Sequence, residues 1–485
     1  MKNQEPVQTK GYFWLPEDPE ERLPGELRIS EDGRIKLDLM GLFPSARLFA
    51  GGNVNDWWGP LRDMERICGH VEEGGFITLL DCMPTSIRAN PFSLQALEFS
   101  SFCATFALIG ADYEQNELFF RKLNFAMEGL DDWLSMDTIR NSVTVGVEDG
   151  KVKSFVGGKV EYKSQESPSY TLDDGIEIQF FSPVGSSSLS PNLPLRFFSL
   201  TSQPYVTLTS NTPREIDYFI NLAEKVRKFI SLAADQEVRM QSFTLIDQIS
   251  DRVVPVRMYL PMIHTRTDDY KPSHRKVLFT HSDVEARFAE LMNRWIEQYE
   301  SNKAGHALNL YFAGAWKESS MLDSNLIFLA KAIEILHREV HPDSRPLDRV
   351  QYKKWKRRIL DSLPEDIPDF IKARISLDNQ TYLRDRVLSM IEPFENWFRD
   401  SESSEEFAGR VSETRNYFTH YSGELKEELR NSEGLLNLYT KLEILLLLHI
   451  LKLIGFDKYQ IAQVVERSRR LKEALDPVML ERLAV

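Results

Sequence analysis

The stretch GELRISEDGRIKLDLMG, from Gly25 to Gly41, has the pattern of two β-strands joined by a tight turn. Apolar residues occupy every second position in both runs, which is the period of a strand with one buried face. Glu31, Asp32 and Gly33 lie between the runs, and these residue types favour a hairpin turn. The alternating apolar positions are Leu27, Ile29, Ile35, Leu37 and Leu39. The stretch therefore predicts a β-hairpin and a β-rich N-terminal half.

Similar short apolar runs continue as far as residue 210. Examples are GGFITLLDC at Gly74–Cys82, FCATFALIGADY at Phe102–Tyr113 and KVKSFVGGKVEYK at Lys151–Lys163. Proline, glycine and serine separate such runs, notably in SPVGSSSLSPNLP at Ser182–Pro194, which predicts a loop. Many short strands with frequent turns are typical of a sandwich or barrel-like domain. We therefore assign residues 1–210 to a β-rich N-terminal domain that senses a signal or regulates the rest of the chain.

Residues 211–282 form a mixed segment. Apolar residues from Pro213 to Ala233 have helical spacing, with Thr212 as the predicted N-cap and Pro213 at the first helical position. A strand-like run follows at Arg252–Pro261. We join this segment to the N-terminal half.

Residues 283–485 are nearly all helical in pattern. A capping-type residue opens Asp283–Glu300, and Met321–Val340 is longer and strongly amphipathic. Further helices are predicted around residues 367–375, 380–398, 403–420, 434–455 and 457–473. A chain of 485 residues is also too long for one hydrophobic core. The predicted fold class is therefore α+β and multidomain, with a β-rich half, the mixed segment and then an all-α bundle.

Charge and cysteine content narrow the functional classes. The formal net charge is -14, which disfavours a general nucleic-acid binder but leaves room for a local basic patch. The sequence has three cysteines, Cys68, Cys82 and Cys103, and no two of them have the spacing Cys-x-x-Cys. No disulfide framework or zinc site is therefore predicted. No Gly-rich phosphate loop and no His/Cys/Asp cluster with metal spacing occurs in the sequence. We expect neither a cofactor nor a metal.

The longest apolar run, LEILLLLHILKLIGF at Leu442–Phe456, raises the question of a membrane span. Glu443, His449 and Lys452 interrupt it, and it is shorter than the roughly 20 residues that cross a bilayer. We predict a buried helix of a soluble bundle, in which His449 is a core histidine. The N-terminus also lacks the apolar segment of a signal peptide, so we expect a cytoplasmic protein without a membrane partner.

The stretch ETRNYFTH, Glu413 to His420, carries a candidate catalytic set. On a helix, Asn416 and His420 share a face, whereas Arg415 is turned by about 140° from His420. A histidine can move protons between a 2′-hydroxyl and a leaving 5′-oxygen, and an arginine can stabilise the charge on the phosphate. The set therefore suits metal-independent cleavage of RNA.

Spacing alone does not single out this stretch. Arginine followed by histidine at similar spacing also occurs at Arg257/His264 and Arg275/His281, in strand-like contexts. Only Arg415/His420 lies in a helical region just before a strongly apolar helix. The alternative interpretation is that these residues form only the solvated face of a surface helix.

A basic segment, VQYKKWKRRIL at Val350–Leu360, is the second candidate site. Its cations are interleaved with two aromatic residues, a combination that suits phosphate contacts together with base stacking. The predicted RNA-binding residues are Tyr352, Lys353, Lys354, Trp355, Lys356, Arg357 and Arg358. The alternative, a solvated amphipathic helix without a ligand, stays open.

These residues carry a resemblance to known families. RNYFTH at Arg415–His420 resembles the Arg-polar-x-His motif of HEPN ribonucleases, and FLAKAIEILHR at Phe328–Arg338, with Glu334 at its centre, is similar to their acidic first bundle helix. The stretches Gly11–Gly41 and Gly69–Cys82 resemble the ApeA family of anti-phage proteins. Together the resemblances cover most of the chain.

The resemblance implies an abortive-infection endoribonuclease that works as a homodimer and leaves a 2′,3′-cyclic phosphate. Arg415 would bind the scissile phosphate, His420 would be the acid/base residue and Asn416 would position them. Glu334 would orient Arg415 or His420, or form only a structural salt bridge. The trigger would derive from a phage, and tRNA is a candidate target because cutting it stops translation. The alternative is a non-catalytic HEPN module that dimerises or binds RNA or protein.

Overall fold

The chain folds into two compact units. The computed structural model describes residues 5–43, 64–88, 98–113, 118–134, 139–148, 151–162, 167–186, 200–249, 252–261, 277–316, 321–342, 344–345, 347–364, 367–369, 371, 379, 381–398, 403–420 and 432–475. Of these, residues 5–261 and 279–290 belong to the first unit, and residues 277–278 and 291–475 belong to the second.

The first unit is built on one large antiparallel sheet of 14 strands, in the order β12-β13-β16-β9-β17-β18-β8-β5-β4-β1-β2-β3-β7-β6. Two further pairs, β10-β11 and β14-β15, form separate two-stranded ribbons. The strands are β1 Val7–Leu15, β2 Asp18–Ile29, β3 Ile35–Met40, β4 Arg66–Val71, β5 Gly75–Leu80, β6 Met83–Arg88, β7 Phe99–Ala104, β8 Phe106–Ile109, β9 Phe119–Met127, β10 Ile139–Glu148, β11 Lys151–Tyr162, β12 Ser169–Thr171, β13 Ile176–Phe181, β14 Val184–Ser186, β15 Leu200–Ser202, β16 Tyr205–Glu215, β17 Met240–Ile249 and β18 Arg252–Tyr259.

The hairpin predicted from Gly25–Gly41 is confirmed. Strands β2 and β3 pair so that Leu27 lies opposite Leu37, and Gly33 in the turn has a positive φ of 77°. Such a backbone conformation favours glycine because it has no Cβ. Apolar side chains from β1 to β5, β7 and β8 meet in a single buried cluster on this part of the sheet. The large antiparallel sheet confirms the predicted β-rich N-terminal half.

Among the described residues, three helices belong to the first unit beside its sheet: α1 at Leu130–Leu134, α2 at Ile216–Ala234 and α3 at His281–Val284. The predicted start of α2 at Pro213 is wrong. Strand β16 runs on to Glu215, because Arg214 and Glu215 pair with Phe120 and Phe119 of β9 after an irregularity in the register. The helix begins only where this pairing ends.

The second unit is helical, as predicted. Its central helix is α6, which packs against α5, α8, α9 and α10. The 3-10 turn at Glu285–Arg287 and the first three residues of α4 still belong to the first unit. The helices are α4 Phe288–Glu300, α5 Asn302–Ala315, α6 Leu322–Val340, α7 Arg349–Asp361, α8 Leu383–Ile391, α9 Ser404–His420, α10 Ser432–Leu453, α11 Lys458–Arg467 and α12 Arg469–Leu475, with a further 3-10 turn at Glu392–Trp397. Helix α5 does not appear among the predicted helices.

Helix α10 contains the long apolar run and is a core helix of this unit. By length and composition it could cross a bilayer, but 67% of its most apolar window is buried inside the protein. Every residue from Leu442 to Leu451 is buried. Its acidic residue Glu443 is paired with Arg470 and accepts a hydrogen bond from Tyr311 Oη at 3.0 Å. The burial is typical of the predicted bundle helix.

Candidate functional site

Helix α9 places Arg415 at the border between core and solvent. Ser403 begins the helix with a reciprocal cap, in which Glu406 N donates to Ser403 Oγ at 3.2 Å and Ser403 N donates to Glu406 Oε2 at 2.9 Å. The buried residues Phe407, Ala408, Val411 and Thr414 follow at helical spacing. Arg415 comes directly after the last of them and is only partly exposed.

The guanidinium of Arg415 is held by two predicted site residues. Its Nη2 donates to Glu334 Oε1, and its Nη1 donates to Asn416 Oδ1 at 2.9 Å. The other carboxylate oxygen of Glu334 lies 3.6 Å from Lys331 Nζ. Glu334 is 7% exposed, so its charge is buried and neutralised by two cations. We call Lys331, Glu334, Arg415 and Asn416 the arginine cluster; it carries a net charge of about +1 by ordinary ionisation.

His420 lies outside the arginine cluster. It is the last residue of α9 and is exposed. Five residues of α-helix separate it from Arg415, a rise of about 7.5 Å with a turn of about 140°. Within the described part of the chain its side chain forms no hydrogen bond or ion pair with Arg415, Asn416 or Glu334. The structure thus joins three of the four predicted catalytic residues and leaves His420 apart from them.

A second layer of polar residues lies behind Glu334 and was not predicted. His337, one helical turn further along α6, is fully buried, and its Nδ1 accepts a hydrogen bond from Arg386 Nη1 at 3.1 Å. Arg386 Nε donates to Thr381 O at 2.9 Å. Burial and the nearby charge of Arg386 lower the pKa of His337 to about 4, so its imidazole is neutral at pH 7. The sequence feature that could have indicated this layer is the spacing of three positions between Lys331, Glu334 and His337, which makes successive residues neighbours on a helix.

The predicted RNA-binding residues all lie on α7. Asp348 caps this helix by accepting from Val350 N at 2.6 Å and Gln351 N at 3.0 Å. None of the residues in α7 is buried. Four of the predicted cations, together with Asp361 and Ser362, line a shallow groove of about 670 Å³: Lys353, Lys354, Arg357 and Arg358. We call these four cations the basic face of α7.

The other three predicted residues of α7 lie outside that groove. Trp355 is 50% exposed, and the guanidinium of Arg358 lies 5.5 Å from the centroid of its ring. Tyr352 and Lys356 are partly buried and lie on the side of the helix away from the basic face. The described contacts do not connect α7 with the arginine cluster.

The remaining histidines of interest have structural partners. His449 is buried, and its Nε2 donates to Met390 O at 2.7 Å, which confirms the prediction of a core histidine. Burial lowers its pKa to about 4. His281 is buried beside Tyr170, with 2.7 Å between Nε2 and the phenol oxygen, and burial lowers its pKa. His264 and Arg275, from the competing spacings, lie outside the described residues.

The two units and the arginine cluster define a class of protein: a β-rich unit joined to an HEPN domain. The family model of the Apea-like HEPN domain matches residues 327–460, a range that contains Glu334, Arg415 and His420. The model of ApeA N-terminal domain 1 matches residues 8–295. Because the second match covers more than half of the chain, the chain belongs to the ApeA family of anti-phage proteins. Neither the curated proteins nor the solved structures include a significant match.

Proposed function

We propose that this protein is an anti-phage HEPN endoribonuclease that cleaves RNA without a metal ion and acts in the cytoplasm. The observation that carries the proposal is Arg415, held by the buried Glu334 at the edge of the bundle and followed five residues later by the exposed His420. A cation fixed in place at a solvent border is suited to binding a phosphate.

The proposed reaction is an internal transesterification. His420 takes the proton from a ribose 2′-hydroxyl, whose oxygen attacks the adjacent phosphorus. The P–O5′ bond breaks, and the leaving 5′-oxygen takes a proton from water. The products are a 2′,3′-cyclic phosphate and a free 5′-hydroxyl. Arg415 stabilises the negative charge that builds on the phosphate oxygens. Asn416 and Glu334 hold two edges of the guanidinium, so both act as positioning residues.

A homodimer completes the proposed site. Arg415 and His420 are turned about 140° apart on α9, so one copy brings only the arginine cluster to a given phosphate. A second copy, with its α9 facing the first, would supply a histidine to that phosphate. Two-fold symmetry then gives two equivalent sites, each with the arginine cluster of one copy and the histidine of the other.

RNA binding is proposed for the basic face of α7. Its four cations oppose a single acid, Asp361, in the groove, although the whole chain has a net charge of -14. Such a local excess of positive charge attracts phosphate even on an acidic protein. The half-exposed Trp355 offers a ring for stacking of a base. tRNA is the candidate target, and the β-rich unit is the part that would respond to a phage-derived trigger.

The test is cleavage of total RNA by the purified protein in EDTA. We expect His420→Ala and Arg415→Ala each to reduce cleavage at least 100-fold, the size of effect of losing an acid/base group or a phosphate-binding cation. His306→Ala and Arg469→Ala are matched controls, because both residues are exposed in the same helical unit and lie outside the arginine cluster. Full cleavage by folded His420→Ala protein would rule out the assignment.

A non-catalytic HEPN module is the second candidate function. The observation that favours it is that Glu334 already pairs with the Arg415 guanidinium, while among the described residues His420 forms no hydrogen bond or ion pair with the arginine cluster. Protection of cells against phage by the Arg415→Ala/His420→Ala double variant would support this function over the ribonuclease.

A further inference from the structure

Strand β16 departs from its neighbour β9 in the main sheet of the first unit. The last regular pair joins Thr209 of β16 to Lys122 of β9. Pairing resumes with Arg214 and Phe120, so β16 advances five residues while β9 advances two. The three extra residues of β16 come after Ser210, which still pairs with β13 on the other side. Irregularities of this kind often lie beside functional sites, because they open the ladder and redirect side chains.

A pocket of about 590 Å³ lies at this departure. Residues of β9, β16, β17 and β18 line it, and residues 210, 211 and 213 of the irregular stretch form part of its wall. Regular pairing would keep β16 within about 5 Å of β9 at this point, so the pocket depends on the irregularity. Its volume is within the range of roughly 300–1,000 Å³ that small-molecule sites occupy. We call it the β9-β16 pocket.

Two consecutive cations of β9 line the β9-β16 pocket. Arg121 has no partner residue in β16, and its Nη1 donates instead to Asn211 O at 3.0 Å, which holds the guanidinium at the irregular stretch. Lys122 is partly buried, and within the described part of the chain its ammonium forms no hydrogen bond or ion pair. Consecutive strand residues point to opposite faces, so both can line one pocket only because β16 leaves β9 beside them. The pair is therefore available to an anionic ligand.

The other polar residues of the pocket match a phosphate that carries a sugar. Thr209 stands directly opposite Lys122 in the ladder, so its hydroxyl and the ammonium lie on the same face of the sheet. Among the described lining residues Asp247 is the one acid, and it accepts a hydrogen bond from Tyr113 Oη at 2.8 Å. A carboxylate accepts several hydrogen bonds, which suits a sugar hydroxyl. Two cations and one acid give a net charge of about +1, which matches one phosphate group better than three.

An aromatic ring stands at the opening of the pocket. Phe119 is 43% exposed, and Val253 in the same lining is 69% exposed. Exposed aromatic rings bind nucleobases by stacking, because every base has a π-face. Inorganic phosphate or a sugar phosphate would use the cations and leave the ring in water. The combination of cations and ring therefore favours a nucleotide.

We propose that the β9-β16 pocket binds a nucleoside monophosphate, with the phosphate at Arg121 and Lys122 and the base against Phe119. All of the lining residues belong to the first unit, whereas the arginine cluster and the basic face of α7 belong to the second. The β-rich unit thus has a ligand site of its own. A long RNA is a poorer match, because the described lining offers only two cations and RNA binding draws on many phosphate contacts.

The experiment is isothermal titration calorimetry of the full chain with AMP, GMP, CMP and UMP in turn. We expect at least one of them to bind with one-to-one stoichiometry. Lys122→Gln should weaken that binding at least tenfold, and Phe119→Leu at least fivefold, because they remove a charged phosphate contact and the stacking ring. The matched controls are Lys10→Gln, an exposed lysine of β1, and Phe76→Leu, a phenylalanine of β5 that is 42% exposed. Both lie outside the pocket and should leave the affinity within twofold.

Titrations with parts of the ligand test whether both phosphate and base are recognised. The matching nucleoside and inorganic phosphate should each bind at least tenfold more weakly than the nucleotide. No binding of any of the four nucleotides at millimolar concentration, equal binding of inorganic phosphate, or equal affinity of Lys122→Gln and Lys10→Gln would each overturn the proposal.

A short single-stranded RNA separates the pocket from a polymer site. If it binds more tightly than every mononucleotide and loses that affinity in Lys122→Gln, the pocket is an RNA site and the proposal is overturned. Circular dichroism checks that each variant is folded, and Lys122→Gln decides by itself if Phe119→Leu is not. Binding is measured instead of cleavage, so failure of the ribonuclease proposal leaves this result unaffected.

Discussion

Replacing Glu334 with glutamine tests whether the arginine cluster has a role in cleavage. Glutamine keeps the shape and an oxygen acceptor but removes the charge that pairs with Arg415 and Lys331. Breaking a buried ion pair costs about 3–5 kcal/mol, and a remaining hydrogen bond recovers about 1–3 kcal/mol. The Arg415 side chain is 28% exposed, so water compensates part of the remaining loss. We therefore expect a cost of about 1–2 kcal/mol.

Two measurements follow from that figure. For a unit of this size, about 1–2 kcal/mol corresponds to a fall in Tm of roughly 2–8 °C, measured by circular dichroism. If Glu334 holds Arg415 in position for the transition state, the same loss should slow RNA cleavage about 5- to 30-fold at a temperature where the variant stays folded.

Glu443→Gln is the matched control, because it removes another buried acid of the same unit. The Glu443 side chain is 5% exposed and is paired with Arg470, which is 37% exposed, so its surroundings closely match those of Glu334. We expect a similar fall in Tm and an unchanged cleavage rate. If Glu334→Gln cleaves RNA as fast as Glu443→Gln, Glu334 has only a structural role and the reasoning is refuted.

Three further predictions concern the second unit. Binding of single-stranded RNA should weaken less steeply with salt when Lys353 and Arg357 are both replaced with alanine. The slope of the logarithm of the binding constant against the logarithm of salt concentration, measured by fluorescence anisotropy, should fall in magnitude by about 1.4. Lys356→Ala on the same helix should change the slope by less than half as much. Burial lowers the pKa of His449 from its ordinary value of 6.5 to about 4 in the folded protein. As pH falls, the imidazole therefore becomes protonated in the unfolded chain at a higher pH than in the folded protein. His449 alone should therefore lower stability between pH 6.5 and 4 by up to about 3 kcal/mol in urea titrations, and an equal pH slope in His449→Leu would contradict this. Ser403→Ala should cost about 1 kcal/mol in the same assay by removing the cap of α9.

Much of the secondary structure could be predicted because it is a local property. The alternation around Gly33 is enough to predict a hairpin, and the capping pattern before Glu406 is enough to predict the start of α9. The helix after β16 was misplaced because pairing with a distant strand overrode the local signal of Pro213. Helix α5 was missed although it is well formed. Its small and polar residues give a weak apolar period, and its helical form depends on packing against α6.

The sequence by itself determined which residue types stand near each other along the chain, such as the Arg415 and His420 spacing and the cations of α7. Only the tertiary structure decided which of them meet. Glu334 contacts Arg415 across 81 positions of sequence, and such a contact depends on how α6 packs against α9. The separation of His420 from Arg415, by contrast, follows from the geometry of α9 itself. The period of apolar residues in a helix or strand is set by backbone geometry. Which side chains contact each other is set by the burial of whole helix and sheet faces.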